Sequence, residues 1–361
     1  MRNKAISTAT RLCDTMMRQF PVAKELPLVG RFFYHQGVFL SGMLNTYSLC
    51  GEEKYFEFAK EWVDSIVDED GNINSNCPQD WLDDIQPGIL LYPLYRKTGD
   101  ERYKKAIDYL VNILKNWKKN KAGGFWHSNI HPDQMWLDSL YMGSPILAEY
   151  AQCFNEPELW DETAKQAIIM YENMVNPESG LMHHAWDESK REAWANPQTG
   201  LSDEVWGRAQ GWYVVAMADI LSFMPENHPY REKLIEIERT ILGNIMKYRD
   251  EKTKLWHQIV DKGDREDNWI ENSCSFLFIT AIAKSIRLGI LDESFREYAN
   301  ESFKGALANI DEDGEDLIIN HVCIGTCIYD YQGYIERPTL ANDLHGTGAF
   351  LLMCSEIARI N

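Results

Sequence analysis

Two kinds of helical segment alternate along this chain, and that alternation limits the available folds more than any other feature. One kind has a wet face and an apolar face. Residues 161–174 set Ala164, Ala167, Ile168 and Tyr171 against Glu162, Lys165, Gln166 and Glu172. Residues 230–248 space Leu234, Ile237, Ile241, Ile245 and Tyr248 at helical intervals among Arg, Lys and Glu. Segments 103–117 and 295–307 read the same way. The other kind is apolar or small nearly all round, at 37–49, 137–150, 205–223, 276–286 and 346–357. A helix without a polar face is buried on every side. About twelve helices, roughly six of each kind, predict an inner ring wrapped by an outer ring, an all-α (α/α)6 toroid.

A chain of 361 residues would by default form two domains. No Gly/Ser tract, Pro-rich run or charge block divides this one, and a closed ring carries the length as a single domain, 1–361. Long loops rich in Trp, His, Gly and Asp precede several of the buried helices, at 76–84, 123–138, 180–208, 255–271 and 319–345. Their ends recur roughly every 50–70 residues, as a helix-hairpin repeat requires. Loops this long in a compact domain are usually functional. All would lie on one rim, over the N-termini of the inner helices, where free backbone N–H groups favour anions. The β pattern is weak, with short strands expected near 180–185 and 255–260.

A net charge of -19 without a basic stripe argues against nucleic acid. An anionic substrate would have to be held by local Arg or Lys. The N-terminal segment carries Arg2, Lys4 and Arg11 but no apolar stretch of signal-peptide type. No run of about 18 apolar residues is present, so no membrane span is expected. The eight cysteines are scattered, and Cys323 and Cys327 lack zinc-type spacing. Free thiols in a reducing cytoplasm are expected. The nine histidines, the His183–His184 doublet included, show no metal-binding spacing. Neither metal nor cofactor is predicted.

The richest segment, 123–145, ends an indole-rich loop and opens an apolar helix, delivering Asp138 between Trp136 and Tyr141. Desolvation among aromatic rings pushes a carboxyl pKa up and keeps a proton available near neutrality. Aromatic faces beside an acid suit a sugar-binding cleft, and 12 tryptophans supply them.

Four segments then carry a resemblance. Asp83-Asp84-Ile85-Gln86-Pro87-Gly88, Asp133-Gln134-Met135-Trp136-Leu137-Asp138, Trp206-Gly207-Arg208-Ala209-Gln210-Gly211-Trp212, and Arg337-Pro338 with Asn342-Asp343-Leu344-His345-Gly346 resemble the unsaturated rhamnogalacturonyl hydrolases. These are glycoside hydrolases of family 105, related to the unsaturated glucuronyl hydrolases of family 88. The motifs run in order over nearly the whole chain. The resemblance implies an (α/α)6 barrel and a substrate with a C4=C5 double bond in its terminal uronic acid, left by a polysaccharide lyase. An acid protonates C4, water adds at C5, and the hemiketal opens and expels the remaining saccharide. Ordinary glycosidases flank C1 with two carboxylates; here one carboxyl group serves as acid and then as base.

The resemblance and the residues together nominate the site. Asp138 is expected as the acid/base, its pKa raised by roughly two units above about 4, a cost on the order of 3 kcal/mol. Asp84 is expected as the second carboxylate, in contact with the uronate, with helix capping the alternative for it and for Asp83; Asp80 is a weaker candidate. Arg208, on an apolar inner helix, is expected to take the substrate carboxylate, unless Asp203 or Glu204 pairs with it. His127 and His184 resemble the family's binding histidines. Tyr34, Trp136, Trp206 and Trp212 are candidates for the aromatic walls, with core packing the alternative. Trp212, one turn beyond Arg208, would face the same way. His345 and Arg337 would approach the leaving group. The expected partner is a small acidic oligosaccharide, bound by a monomer or weak homo-oligomer. Rival substrates are glycosaminoglycan or ulvan fragments. A sugar epimerase, using paired histidines on the same toroid, is the rival from another class.

Overall fold

In the computed structural model, which describes residues 1–361, outer and inner helices alternate from end to end. In chain order they are outer α1 (Arg2–Gln19), inner α2 (Tyr34–Cys50), outer α3 (Glu53–Asp64), inner α4 (Leu91–Thr98), outer α5 (Glu101–Lys115) and inner α6 (Asp138–Phe154). Outer α7 (Glu158–Met174), inner α8 (Gly207–Phe223), outer α9 (Arg231–Lys247), inner α10 (Asn272–Arg287) and outer α11 (Arg296–Ala308) follow. A short rim helix, α12 (Tyr331–Ile335), precedes the last inner helix, α13 (Leu344–Ile360). This is the (α/α)6 toroid that the alternation predicts, with α12 as an addition.

Burial follows the two sequence patterns. Every residue of α6 from Asp138 to Ala151 is buried, as is α8 from Gly207 to Ala218. Outer α5 instead buries only Tyr103, Ala106, Ile107, Leu110, Val111 and Leu114, one helical face. Each outer helix leans on its inner neighbour: α3 on α2, α5 on α4, α7 on α6, α9 on α8, α11 on α10, and α1 on α13. The apolar core is one contiguous cluster of 104 buried residues.

The chain turns tightly at one end of the ring and loosely at the other. Gly51 and Gly99, both left-handed with φ of 75° and 67°, end α2 and α4 and pass directly to α3 and α5. The returns from outer to inner helices are long: 65–85, 116–137, 175–206, 248–271 and 309–343. All therefore gather over the N-termini of the inner helices.

Backbone bridges zip these loops together. The strands β1 (Gln134–Trp136) and β2 (Ala185–Asp187) pair antiparallel, Trp136 opposite Ala185. A hairpin of β3 (Asp311–Asp313) and β4 (Asp316–Ile318) stands apart. Single bridges join Trp81 to Ser128, Trp206 to Ile259 and His257 to Ile270. The strand expected near 180–185 thus begins at Ala185, and 255–260 makes bridges rather than a strand, because each loop meets its neighbour over only a residue or two. No helix is long and apolar enough to cross a membrane.

The ring closes where α13 meets α2, and small residues make this possible. A Cβ added to Gly348 would fall 2.5 Å from the Val38 carbonyl carbon and 2.6 Å from the Phe39 nitrogen. One added to Gly42 would fall 2.6 Å from Leu351 Cβ and 2.9 Å from the Gly348 oxygen. Backbone cannot give way as a side-chain tip can. Gly348→Ala is therefore expected to destabilise the protein by at least ~1–3 kcal/mol, read as a lower urea midpoint; an unchanged midpoint would show that the closure tolerates a methyl group.

Candidate active site

On the loop side of the ring lies a cavity of about 200 Å3. Its wall includes Tyr34, His35, Trp81, Asp83, His127, Trp136, Asp138, Trp206, Arg208 and Cys327. A larger cavity, about 580 Å3, opens at the opposite mouth. Its charged groups already pair among themselves, Arg96 with Glu149, Lys284 with Asp219, and Arg359 with Glu356, so the unspent chemistry is on the loop side.

The loop bridges decide which side chains meet. Leu137 N–H donates to the His184 carbonyl at 3.0 Å, continuing the β1–β2 pairing into the first turn of α6. That sets the His184 ring beside Asp138, with Nε2 3.1 Å from Oδ2. Leu82 N–H donates to the His127 carbonyl at 3.1 Å, bringing the turn Leu82–Asp84 against His127. His127 Nε2 then stands 3.9 Å from Asp83 Oδ1, its Nδ1 is bonded to the Ser139 hydroxyl at 3.0 Å, and its ring stacks on Trp136 at 4.0 Å. Asp138 itself opens α6, where the helix dipole favours a carboxylate.

The carboxyl groups divide differently from the sequence expectation. Burial drives the Asp138 carboxyl up, but the His184 hydrogen bond, with the nearby imidazoles of His184 and His127, outweighs it, and the net direction is down. The raised group facing the cavity is Asp83. Burial and the charges of Asp138 and Asp84 hold it well above the ordinary carboxylate range, and Arg31 opposes them only weakly. Asp84 turns away, its Oδ1 3.6 Å from Arg31 Nη2, and is absent from the cavity wall. Burial carries it up to about 7 in spite of Arg31. The neighbour of Asp138 in the cavity is thus Asp83 in place of Asp84.

Arg208 reaches the cavity from α8, and neither Asp203 nor Glu204 is its counter-charge. Glu204 is bound by Lys262 at 2.5 Å, while Glu271 stands 3.9 Å from Arg208 Nη1. The guanidinium also donates to the carbonyls of Cys323 at 2.5 Å and Ile324 at 2.7 Å and lies over the Trp206 ring. Part of its donor set is therefore committed to holding the last rim loop.

Tyr34, Trp136 and Trp206 line the cavity as expected of aromatic walls. Trp212 does not. One turn along an inner helix leads deeper into the barrel, and the indole stacks on Tyr141 at 4.6 Å beneath Tyr34. His184, expected to bind sugar, is buried behind Asp138 and does not line the cavity; its Nε2 is spent on the Asp138 carboxylate. His345 is likewise buried, its Nδ1 2.8 Å from Asp343. Arg337 donates to the Gly325 carbonyl on the rim.

Three further residues contribute that sequence reasoning either missed or cast in another role. Asp83 reads in the sequence only as a capping alternative, His35 follows Tyr34 onto the wall, and Tyr334 bonds to His184 Nδ1 at 2.6 Å. His35, Asp343 and His345 are the one group whose ligand atoms come within 4.8 Å of one another. The Asp343 carboxylate there already serves His345 and caps α13, with Arg208 nearby adding positive charge.

Comparison with known proteins agrees with this architecture. The model of Glycosyl Hydrolase Family 88 matches residues 8–361. A family 105 glycoside hydrolase from C. acetobutylicum ATCC 824 is 34% identical, with a TM-score of 0.92 over 97% of this chain and 98% of that one. The unsaturated rhamnogalacturonyl hydrolase YesR of Bacillus subtilis is 25% identical over 90% of this chain and 88% of its own length. An unsaturated glucuronyl hydrolase from Bacillus sp. GL1, responsible for degradation of glycosaminoglycan, shares the fold at 18% identity, with a TM-score of 0.71 over 98% of this chain and 96% of that one.

Burial holds the His127 imidazole down to about 3 against the opposing charge of Asp138. His127 is therefore expected to stay unprotonated throughout the pH range of a working enzyme. Its ring signals in a histidine-labelled NMR titration should not move between about pH 5 and 8; a midpoint near the ordinary value would contradict the burial argument. With fold, cavity and relatives in agreement, the chain belongs to Glycosyl Hydrolase Family 88 and is a glycosidase.

Proposed function

We propose that this enzyme removes the terminal 4,5-unsaturated uronic acid from the products of rhamnogalacturonan lyases, by hydrating the C4=C5 bond. The observation that carries this reading is that one aromatic-walled cavity holds two carboxyl groups with opposed environments, Asp83 pushed toward its protonated form and Asp138 toward its ionised form. Burial and the Asp138 charge favour the protonated form of Asp83, the His184 hydrogen bond favours the ionised form of Asp138, and the titration belongs to both groups.

In the proposed reaction Asp138 stands at the reacting carbons. The substrate carboxylate, drawn in beside Arg208, adds a negative charge that opposes Asp138 ionisation, and Asp138 takes up the proton stored on Asp83. The proton passes to C4, with the C4=C5 electrons forming the new C–H bond. Positive charge develops at C5, shared with the ring oxygen. Water adds at C5 as Asp138 recovers a proton from it, and the resulting hemiketal opens. The C1 hemiacetal so formed releases the rest of the saccharide with its own glycosidic oxygen. Trp136, Trp206 and Tyr34 supply apolar faces for the flat unsaturated ring.

Rhamnose as the leaving-group sugar rests on the likeness to the YesR enzyme. Action on glycosaminoglycan fragments is the second reading, supported by the fold shared with the Bacillus sp. GL1 enzyme, and it keeps the same chemistry. An epimerase, which needs two histidines free to exchange protons, is disfavoured because both His184 nitrogens are engaged. A cytoplasmic location belongs to this proposal and rests on the eight unpaired thiols.

The test follows loss of the conjugated-bond absorbance in an unsaturated galacturonyl-rhamnose disaccharide. Asp138→Asn and Asp83→Asn should each lower kcat by at least about 10^3, whereas Asp84→Asn, which faces Arg31, should stay within roughly tenfold of wild type. Equal losses in Asp83→Asn and Asp84→Asn would sink the assignment of the pair. The pH profile has a definite sign: with Asp83 raised and Asp138 lowered, activity should fall on the alkaline side as Asp83 loses its proton. On the acid side it should fall only below the ordinary carboxylate range.

A further inference from the structure

His184 is held at both ring nitrogens, and the second hold comes from the far end of the chain. Nε2 stands 3.1 Å from Asp138 Oδ2, and Nδ1 stands 2.6 Å from the hydroxyl of Tyr334, 150 residues away. A carboxylate only accepts, so Nε2 must donate to it. With its one ring hydrogen on Nε2, the imidazole presents a lone pair at Nδ1, which accepts from the Tyr334 hydroxyl. The three side chains therefore form a directed chain, Tyr334 O–H to His184 Nδ1, then His184 Nε2–H to Asp138.

Tyr334 is braced as few rim residues are. It is fully buried, its ring stacks on Trp206 at 5.7 Å, and its carbonyl accepts from Gln258 Nε2 at 3.1 Å. Trp269 Nε1 bonds the next carbonyl, Ile335, at 3.2 Å, and the Tyr331 hydroxyl donates to Asp267 at 2.8 Å. A five-residue helix, α12, is thus pinned from three sides, and its one polar side chain aimed inward is the Tyr334 hydroxyl. The phenol does not line the cavity.

We infer that Tyr334 is a positioning residue that fixes His184 in its Nε2–H tautomer and so keeps Asp138 aligned for the reaction. Without the phenolic donor the imidazole is free to carry its hydrogen on Nδ1, which would turn a lone pair toward the Asp138 carboxylate. The same rim loop, 309–343, also supplies Gly325, Thr326 and Cys327 to the cavity wall and the carbonyls that hold Arg208. One loop would then set both the shape of the leaving-group side and the orientation of the acid. This inference rests on the hydration reading for its kinetic consequence but not for the tautomer itself.

The experiment compares wild type with Tyr334→Phe, which keeps the ring on Trp206, in 15N-histidine-labelled full-length protein. Wild-type His184 is expected to show a protonated Nε2 and an unprotonated Nδ1, and the variant to lose that assignment. On the disaccharide, kcat should fall about tenfold or more with KM within about twofold, because Tyr334 touches no substrate surface. The acid limb of kcat should move up by ~1 pH unit. The groups facing Asp138 (Asp83, His127, Arg208, Tyr34 and Cys327 besides His184 and Tyr334) are unchanged in the variant, so the movement reports the relay. An Nδ1–H tautomer in wild type, or a tautomer change that leaves kcat and its pH profile unmoved, overturns the inference. If wild type turns over no unsaturated uronide, the hydration reading falls, and the histidine shifts alone decide this one.

Discussion

The contact between Gly42 and Gly348 governs the rest of the molecule, because it lets the first and last inner helices approach closely enough to shut the ring. Once shut, the ring buries its inner helices on every side, and only their ends remain for chemistry. At one end the turns are short, from two residues at 51–52 to eight at 288–295, and present little side-chain variety. At the other the chain must travel back from outer helix to inner helix through longer loops, fourteen residues at 20–33 and more than twenty in each of the others. Such loops carry backbone groups that need partners, and they find them in each other. The Trp81–Ser128, Trp136–Ala185 and Trp206–Ile259 pairings satisfy the loops and at the same time place an aromatic ring at the cavity edge each time.

The site's electrostatics follow from that burial. Taking a carboxylate out of water is unfavourable, and a partner must compensate it or a proton must neutralise it. Asp138 finds a partner in His184; Asp83 has none of comparable strength, and burial favours its protonated form. Arg208 is compensated by Glu271 and by two carbonyls, which leaves it a charged but anchored feature of the wall. On the proposed reading, a chain carrying a net charge of -19 needs such a local positive feature to hold an anionic sugar against the overall field.

Much of this is legible in the sequence, and what is not has physical causes. Helical periodicity reports burial directly, so both rings can be read, and Asp138 stands out because it follows an indole at the mouth of an apolar helix. The exchange of Asp83 for Asp84 is not legible. The two are adjacent in a 3-10 turn, where neighbours diverge by about 120°, and only the Arg31 contact settles which one faces outward. Trp212 misleads for a related reason: a shared helical face fixes direction around the axis, while four residues of rise, about 6 Å, move the ring below the cavity floor. The direction of the Asp138 shift depends on a hydrogen bond to a residue 46 positions away, and the tyrosine behind that residue is more distant still. Local sequence reports a carboxyl group's apolar neighbours but not the long-range partner that reverses their effect.

Everything proposed for the chemistry turns on water entering at C5 after a proton enters at C4, and running the reaction in heavy water decides it. Saccharide release, loss of the conjugated absorbance and appearance of a single deuteron on one face of C4, followed by NMR, should proceed at one common rate. Release of the saccharide while the double bond persists, with deuterium arriving later or on both faces, would mean that the bond is cut at the anomeric carbon and would contradict hydration.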